Sequence, residues 1–216
     1  MRFQHLGMCY SRRFSVCSII VRPYVEPMRL LSLDTSFSSL NLALIEDGRV
    51  ILCFYEDSGK KTLEELPAVF RRLGIEIEDV DAFAVALGVG YLTSLRIGIT
   101  FIKTLAYLTK KPVVGFENLH MMGIYTPAEE RKVCLLKVSN NIFYRVFNKD
   151  SVGSVELLKD KLPEGKVVGL KWQGLGDLDF FPFSVYGGLW AYEMLQKGYK
   201  GDEPMLLEPI YLKPPV

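Results

Sequence analysis

The chain has 216 residues, 49% of them hydrophobic and 24% charged, with a formal net charge of +1. That length supports a full hydrophobic core in one large domain or two small lobes. Near-neutrality gives no overall electrostatic drive toward nucleic acid, and no apolar run approaches the roughly 20 residues of a membrane helix.

In chain order, residues 1–27 come first, with Arg2, Arg12, Arg13 and Arg22 against one acid, Glu26. The apolar run at 17–21 is too short for a signal peptide, and no small-residue cleavage site follows. Met28 stands directly before the first strand-like run. The expectation is that the fold starts there and that residues 1–27 are a non-native or disordered extension. The four cysteines, Cys9, Cys17, Cys53 and Cys134, form no C-x-x-C pair and read as reduced thiols of a cytoplasmic protein. Cys53 and Cys134 lie in strand-like runs and are expected in the core.

Residues 29–33 are an apolar strand ending in Asp34-Thr35-Ser36. Residues 40–45 alternate, Asp47-Gly48 is a hairpin turn, and 50–55 return as a third antiparallel strand. Residues 62–73 place Leu63, Leu66, Val69, Phe70 and Leu73 on one helical face, closed at Gly74. A strand at 81–86 leads into Leu87-Gly88-Val89-Gly90-Tyr91-Leu92-Thr93 and then a helix ending near Lys110. Two glycines before a helix N-terminus can hold an anion or let another backbone dock. The spacing matches neither the dinucleotide fingerprint nor a P-loop.

That long helix is apolar on two sides. Leu95, Gly98, Ile99, Ile102, Leu105 and Ala106 recur at sheet-facing spacing. Ile97, Phe101 and Leu108 form a second stripe, which either a partner subunit or another helix of the same chain would cover. We favour the partner. A strand at 112–115 and a short helix at 117–125 complete the first half. The order βββαβαβα predicts a mixed sheet with helices on its faces.

Thr126-Pro127 marks the expected lobe boundary, dividing 28–125 from 126–216. A second hairpin follows, 133–138 and 142–147, around Ser139-Asn140-Asn141. Residues 155–162 read as helical, 166–170 as a strand, and 184–197 as a helix capped by Ser184 and closed at Gly198. A hairpin-first lobe followed by a shorter one suggests internal duplication with the second copy reduced.

Four stretches fall in a family order: Leu31-Ser32-Leu33-Asp34-Thr35-Ser36, the Gly88–Gly98 segment, Pro112-Val113-Val114-Gly115, and Glu208-Pro209-Ile210-Tyr211-Leu212. The chain resembles the TsaB (YeaZ) family from Met28 onward. It keeps Gly88, Gly90, Thr93, Leu95, Arg96, Ile97 and Gly98 of the family's glycine loop and departs at Val89, Tyr91, Leu92 and Ser94. The resemblance implies an α/β, actin/Hsp70/sugar-kinase-like fold of two ribonuclease-H-like lobes. It also implies a non-catalytic subunit that binds the catalytic paralogue TsaD, with the ATPase TsaE, in forming threonylcarbamoyladenosine in tRNA. The implied contact uses helices of the first lobe, here Thr93, Leu95, Arg96, Ile97, Thr100, Phe101 and Leu108 with Leu66 and Phe70. Members also self-associate through that region, and tRNA is reached only indirectly.

The residues offer little chemistry of their own. The two histidines are His5 and His120, so no pair at helical spacing exists for a metal, and no metal or cofactor is expected. His120 reads as a packing residue. Asp34, Thr35, Ser36, Gly88 and Gly90 stand where related kinases hold nucleotide, and a vestigial cleft is one reading. Turn chemistry, with the Asp34 carboxylate accepting from nearby N–H groups, is the favoured one. The alternative functions are a sugar-kinase-like phosphotransferase and a glycoprotease-like metallopeptidase. No membrane contact is expected.

Overall fold

Turn chemistry and alternation set the first half of the molecule. The computed structural model describes residues 27–57, 62–127 and 129–210, with 62–64 described for the main chain alone. Strands β1 (Arg29–Asp34), β2 (Ser39–Glu46) and β3 (Arg49–Asp57) are antiparallel. Asp47 and Gly48 take φ of 47° and 73°, the paired positive values that match strand twist in a two-residue hairpin. Helix α1 (Thr62–Leu73), strand β4 (Ala82–Gly88), helix α2 (Leu92–Thr109), strand β5 (Val113–Glu117) and helix α3 (Asn118–Tyr125) follow as expected.

The first sheet runs β3-β2-β1-β4-β5, with β1, β4 and β5 parallel. One face, carrying Leu31, Leu33, Leu42, Phe83 and Val85, is covered by Leu66, Val69 and Phe70 of α1 and by Leu95, Ile99 and Ile102 of α2. The opposite face, carrying Leu30, Ala43, Ile45 and Ala84, meets α3 and a helix from the far end of the chain. Strands buried on both faces need near-continuous apolar runs, as β1 and β4 have.

The second sheet contains β6 (Arg131–Val138), β7 (Asn141–Asn148), β8 (Ser151–Leu157) and β9 (Lys166–Val168), ordered β8-β7-β6-β9. Its pairing repeats that of β3-β2-β1-β4, two antiparallel pairs and one parallel. It is the first sheet again, shortened by a strand and without the crossover helices.

Helix α4 (Phe183–Gln196) lies over β1, β2 and β4 of the first sheet. Gly187 and Gly188 permit this approach: an added Cβ would stand 2.4 Å from the Phe116 ring and 2.9 Å from Ser32 Cβ. The helix ends with Gly198 N–H donating to the Leu195 carbonyl and Tyr199 N–H to that of Met194, both at 3.0 Å, the paired bonds of a glycine-closed helix end. Between the sheets, the buried Lys132 ammonium donates to the carbonyls of Gly123, Thr126 and Pro127, neutralising the C-terminal end of α3.

Three expectations are corrected here. Residues 155–157 belong to β8 rather than a helix: Val155 pairs with Arg145 and Leu157 with Phe143, and the alternate side chains are exposed. Ser184 does not cap α4; Pro182 precedes the helix and the Ser184 hydroxyl is buried inside the first turn. Cys53 is exposed on the edge strand β3, whereas Cys134 is buried as expected, its thiol pushed up to about 12 chiefly by burial. Residues 1–26 of the extension expected at 1–27, the Leu63 side chain and the tail from Tyr211 lie outside the described residues.

Candidate functional site

Because β1 and β4 are parallel neighbours, their C-terminal ends bring Asp34 and Gly88 side by side. This end of a parallel sheet is where open α/β folds bind ligands. Asp34 is fully buried. Its Oδ1 accepts from Ser36 N–H at 2.9 Å and from Ser36 Oγ at 2.5 Å, and its Oδ2 accepts from Asn41 Nδ2 at 3.2 Å. Asn118, at the start of α3, donates to Ser36 Oγ at 2.7 Å and to the Val89 carbonyl at 3.3 Å. Burial pushes the Asp34 carboxyl above the ordinary carboxylate range, and the bonds from Ser36 and Asn41 oppose that shift. Two acceptors of the network, Asn41 Oδ1 and Asn118 Oδ1, are buried without a partner among the described residues.

The glycine turn docks on this aspartate turn. Tyr91 N–H donates to the Ser36 carbonyl at 2.7 Å, and Thr35 Oγ1 donates to the Ser94 carbonyl at 2.7 Å. A Cβ on Gly90 would lie 2.5 Å from the Ser36 carbonyl, and one on Gly98 would lie 2.3 Å from Thr35 Oγ1. Of the two uses read from the sequence, backbone docking is the one seen. Phe37 seals the outside, edge-on to Tyr91 and to Trp172 with centroids at 6.1 and 5.6 Å. The arrangement can hold a proton on Asp34, but that carboxyl has no exposed surface from which to reach a substrate. A cavity of about 670 Å³ lies elsewhere, lined by Tyr107, Leu108, Lys110, Lys111 and Lys200 at the far end of α2.

The second candidate region is the outer face of α2. Thr93, Arg96, Thr100 and Leu108 are exposed, Leu108 by 70%. Ile97 and Phe101 are half-buried, and α1 of the same chain covers Phe101: the Phe70 and Phe101 rings meet edge-on at 5.1 Å. Leu66, Phe70 and Leu95 are core residues and present nothing outward, which corrects their reading as interface. The covering helix explains much of the second stripe; Tyr107 and Leu108 remain uncovered.

A third polar cluster escaped the sequence reading. Arg145 of β7 pairs with Glu117 at the end of β5 and donates from Nε to the Gly153 carbonyl at 2.7 Å. Burial pushes the Glu117 carboxyl up, with Arg145 opposing. His120 packs between Phe147 and Trp190, and burial with the nearby Arg145 lowers its pKa. Asn41 and Asn118 were also missed, although an asparagine inside Leu40-Asn41-Leu42 is a visible break in an apolar strand. Among the described residues no group of three His, Cys, Asp or Glu side chains converges to hold a metal. No described helix is long and apolar enough to cross a membrane.

The model of the TsaD family, tRNA N6-adenosine threonylcarbamoyltransferase, matches residues 59–139. The enzyme of that name from Fervidobacterium nodosum is 26% identical over 185 residues, 70% of this chain and 54% of the relative. That from Solidesulfovibrio magneticus is 33% identical over 112 residues, 43% of this chain and 30% of its own. The chain spans about half the length of the first of these. YeaZ from Pseudomonas aeruginosa superposes with a TM-score of 0.69 at 21% identity, covering 86% of this chain and 100% of that one. The fold is that of YeaZ. Two mixed sheets, the second of them reduced, are the α/β architecture that the sequence led us to expect.

Proposed function

We propose that this chain is a non-catalytic subunit that binds a TsaD-type threonylcarbamoyltransferase, with a TsaE-type ATPase, and supports formation of threonylcarbamoyladenosine in tRNA. The observation that carries the reading is the pairing of a TsaD-type sequence at 59–139 with a fold that matches YeaZ over the whole of that chain. The closed network around Asp34 adds to it, since a sealed carboxyl serves a scaffold better than a phosphotransferase.

In this reading residues 28–125 are the partner-binding lobe and 126–216 the smaller lobe, with α4 lent to the first. The paralogue docks on the outer face of α2 at Thr93, Arg96, Thr100 and Leu108, with Ile97 and Phe101 at the rim. The protein works in the cytoplasm and reaches tRNA only through its partner. Size-exclusion chromatography with light scattering, on this chain alone and mixed with the TsaD paralogue, tests it. A mixed complex that Leu108→Glu abolishes is the expected result. A chain indifferent to the paralogue, or one with nucleotide turnover lost in Asp34→Ala, overturns the scaffold reading.

A further inference from the structure

The far end of α2 gathers the most exposed apolar side chains of the described residues. Leu206, Leu108, Tyr107 and Met205 are 79, 70, 62 and 59% exposed, and only Trp172, elsewhere, matches the last of them. Tyr107 and Leu108 line the cavity of about 670 Å³. Met205 and Leu206 directly follow Pro204, another lining residue, in a short turn that packs against α2. Single exposed apolar residues need no explanation, but four around one cavity mark a place where another molecule sits.

The same cavity is basic. Lys110, Lys111 and Lys200 line it against one acid, Asp202. That acid is already engaged: its Oδ2 accepts from Gly115 N–H at 2.7 Å and its Oδ1 from the Tyr199 hydroxyl. Lys111 donates to the carbonyls of Ile77 and Glu78, both at 2.9 Å. Lys110 and Lys200 are exposed, and their ammonium groups have no hydrogen bond or ion pair among the described residues. The C-terminal carbonyls of α2 favour one cation here, which accounts for Lys110 and not for Lys200.

We propose that this cavity docks an acidic segment of another protein, with apolar side chains seated among Leu108, Met205 and Leu206 and carboxylates on Lys110 and Lys200. A cavity of this size takes several side chains, more than one small anion fills. A nucleic acid would use the lysines and leave Met205 and Leu206 in water. A bilayer is held by clusters of about four to eight basic residues, not by two beside a cavity. The site shares Leu108 with the face proposed for the paralogue and otherwise lies beyond it, so the inference does not rest on that reading.

Selection from a random peptide library on the immobilised full chain tests it, followed by fluorescence anisotropy with the recovered peptides. Sequences rich in Asp and Glu around Leu, Ile or Phe are expected, with affinity that falls as salt is raised. Lys110→Glu combined with Lys200→Glu should weaken their binding by about tenfold or more. Leu206→Ser should weaken it as well, and all three exposed positions should leave the circular dichroism spectrum unchanged. Lys149→Glu with Lys161→Glu, an equal change of charge elsewhere on the surface, should leave it intact. The Lys110 and Lys200 pair should also leave any mixed complex with the paralogue intact, which keeps the two surfaces separable. Recovered peptides without acids, or binding indifferent to both the lysine pair and Leu206→Ser, overturn the proposal. So does tighter binding of single-stranded RNA or phosphatidylserine vesicles that the same lysine pair abolishes.

Discussion

Phe101 of α2 stands edge-on to Phe70 of α1, their ring planes 72° apart, so the second apolar stripe of α2 is divided between this molecule and its surroundings. Such a pair adds about 0.5–1.5 kcal/mol beyond the area it buries. Phe101→Ala should therefore cost about 2 kcal/mol, less than a fully buried phenylalanine, and urea denaturation would show it. Leu108→Glu, about two turns further along the same stripe, should change stability by under about 0.5 kcal/mol. An equal loss in both variants would mean that Leu108 is covered within the chain.

Asp34 gives a pH signature. Its folded pKa is raised, so between the unfolded value and the folded one the native state binds the extra proton. Its contribution is present in full below the unfolded pKa, about 3.9, and is lost as pH rises through the folded value. The difference in urea midpoint between wild type and Asp34→Asn should thus turn against wild type from about pH 4 upward. A difference constant with pH would show the carboxyl ionising as it does in water. Asp34→Ala, which strands the donors of Ser36 and Asn41, should cost about 1–3 kcal/mol below about pH 4, where the carboxyl carries its proton in both states.

Glu117 and Arg145 are both shielded, with side-chain exposures of 16 and 19%. Arg145→Met leaves a buried carboxyl without its cation and should cost about 3 kcal/mol. Glu117→Gln combined with Arg145→Met should recover much of that loss, a coupling measurable in a double-mutant cycle. Additive losses would mean that each side chain acts through packing alone.

The contact of α2 with the β1–β2 turn is narrow enough to be probed by one methyl group. Gly98→Ala pushes a Cβ onto Thr35 Oγ1 and should cost about 1–3 kcal/mol by overpacking. Combining it with Thr35→Ala, which removes both Oγ1 and the neighbouring methyl, should return part of the loss in thermal unfolding. No rescue would place the strain in the helix rather than at Thr35.

The first half of the fold was legible because its signals are local. Asp47-Gly48 announces its hairpin, and the apolar period of residues 95–106 names the buried face of α2. Strand β8 was not, because Val155-Glu156-Leu157-Leu158-Lys159 suits a helix and its turn at Lys149-Asp150 carries no glycine. The aspartate turn could be read from three consecutive residues. Asn118 could not, since its partner Ser36 is 82 positions away. The outer stripe of α2 was ambiguous for a physical reason: a helix of the same chain and a partner ask for the same apolar side chains.

Helix α4 sets a schedule for folding. The first sheet is synthesised early, yet the residues that cover Leu30, Ala43 and Ile45 arrive only with Phe183–Gln196. A nascent chain emerging from the ribosome thus carries one greasy sheet surface in water while the entire second sheet is being made. Translation past α4, rather than completion of the first lobe, is the moment at which the molecule becomes safe from aggregation.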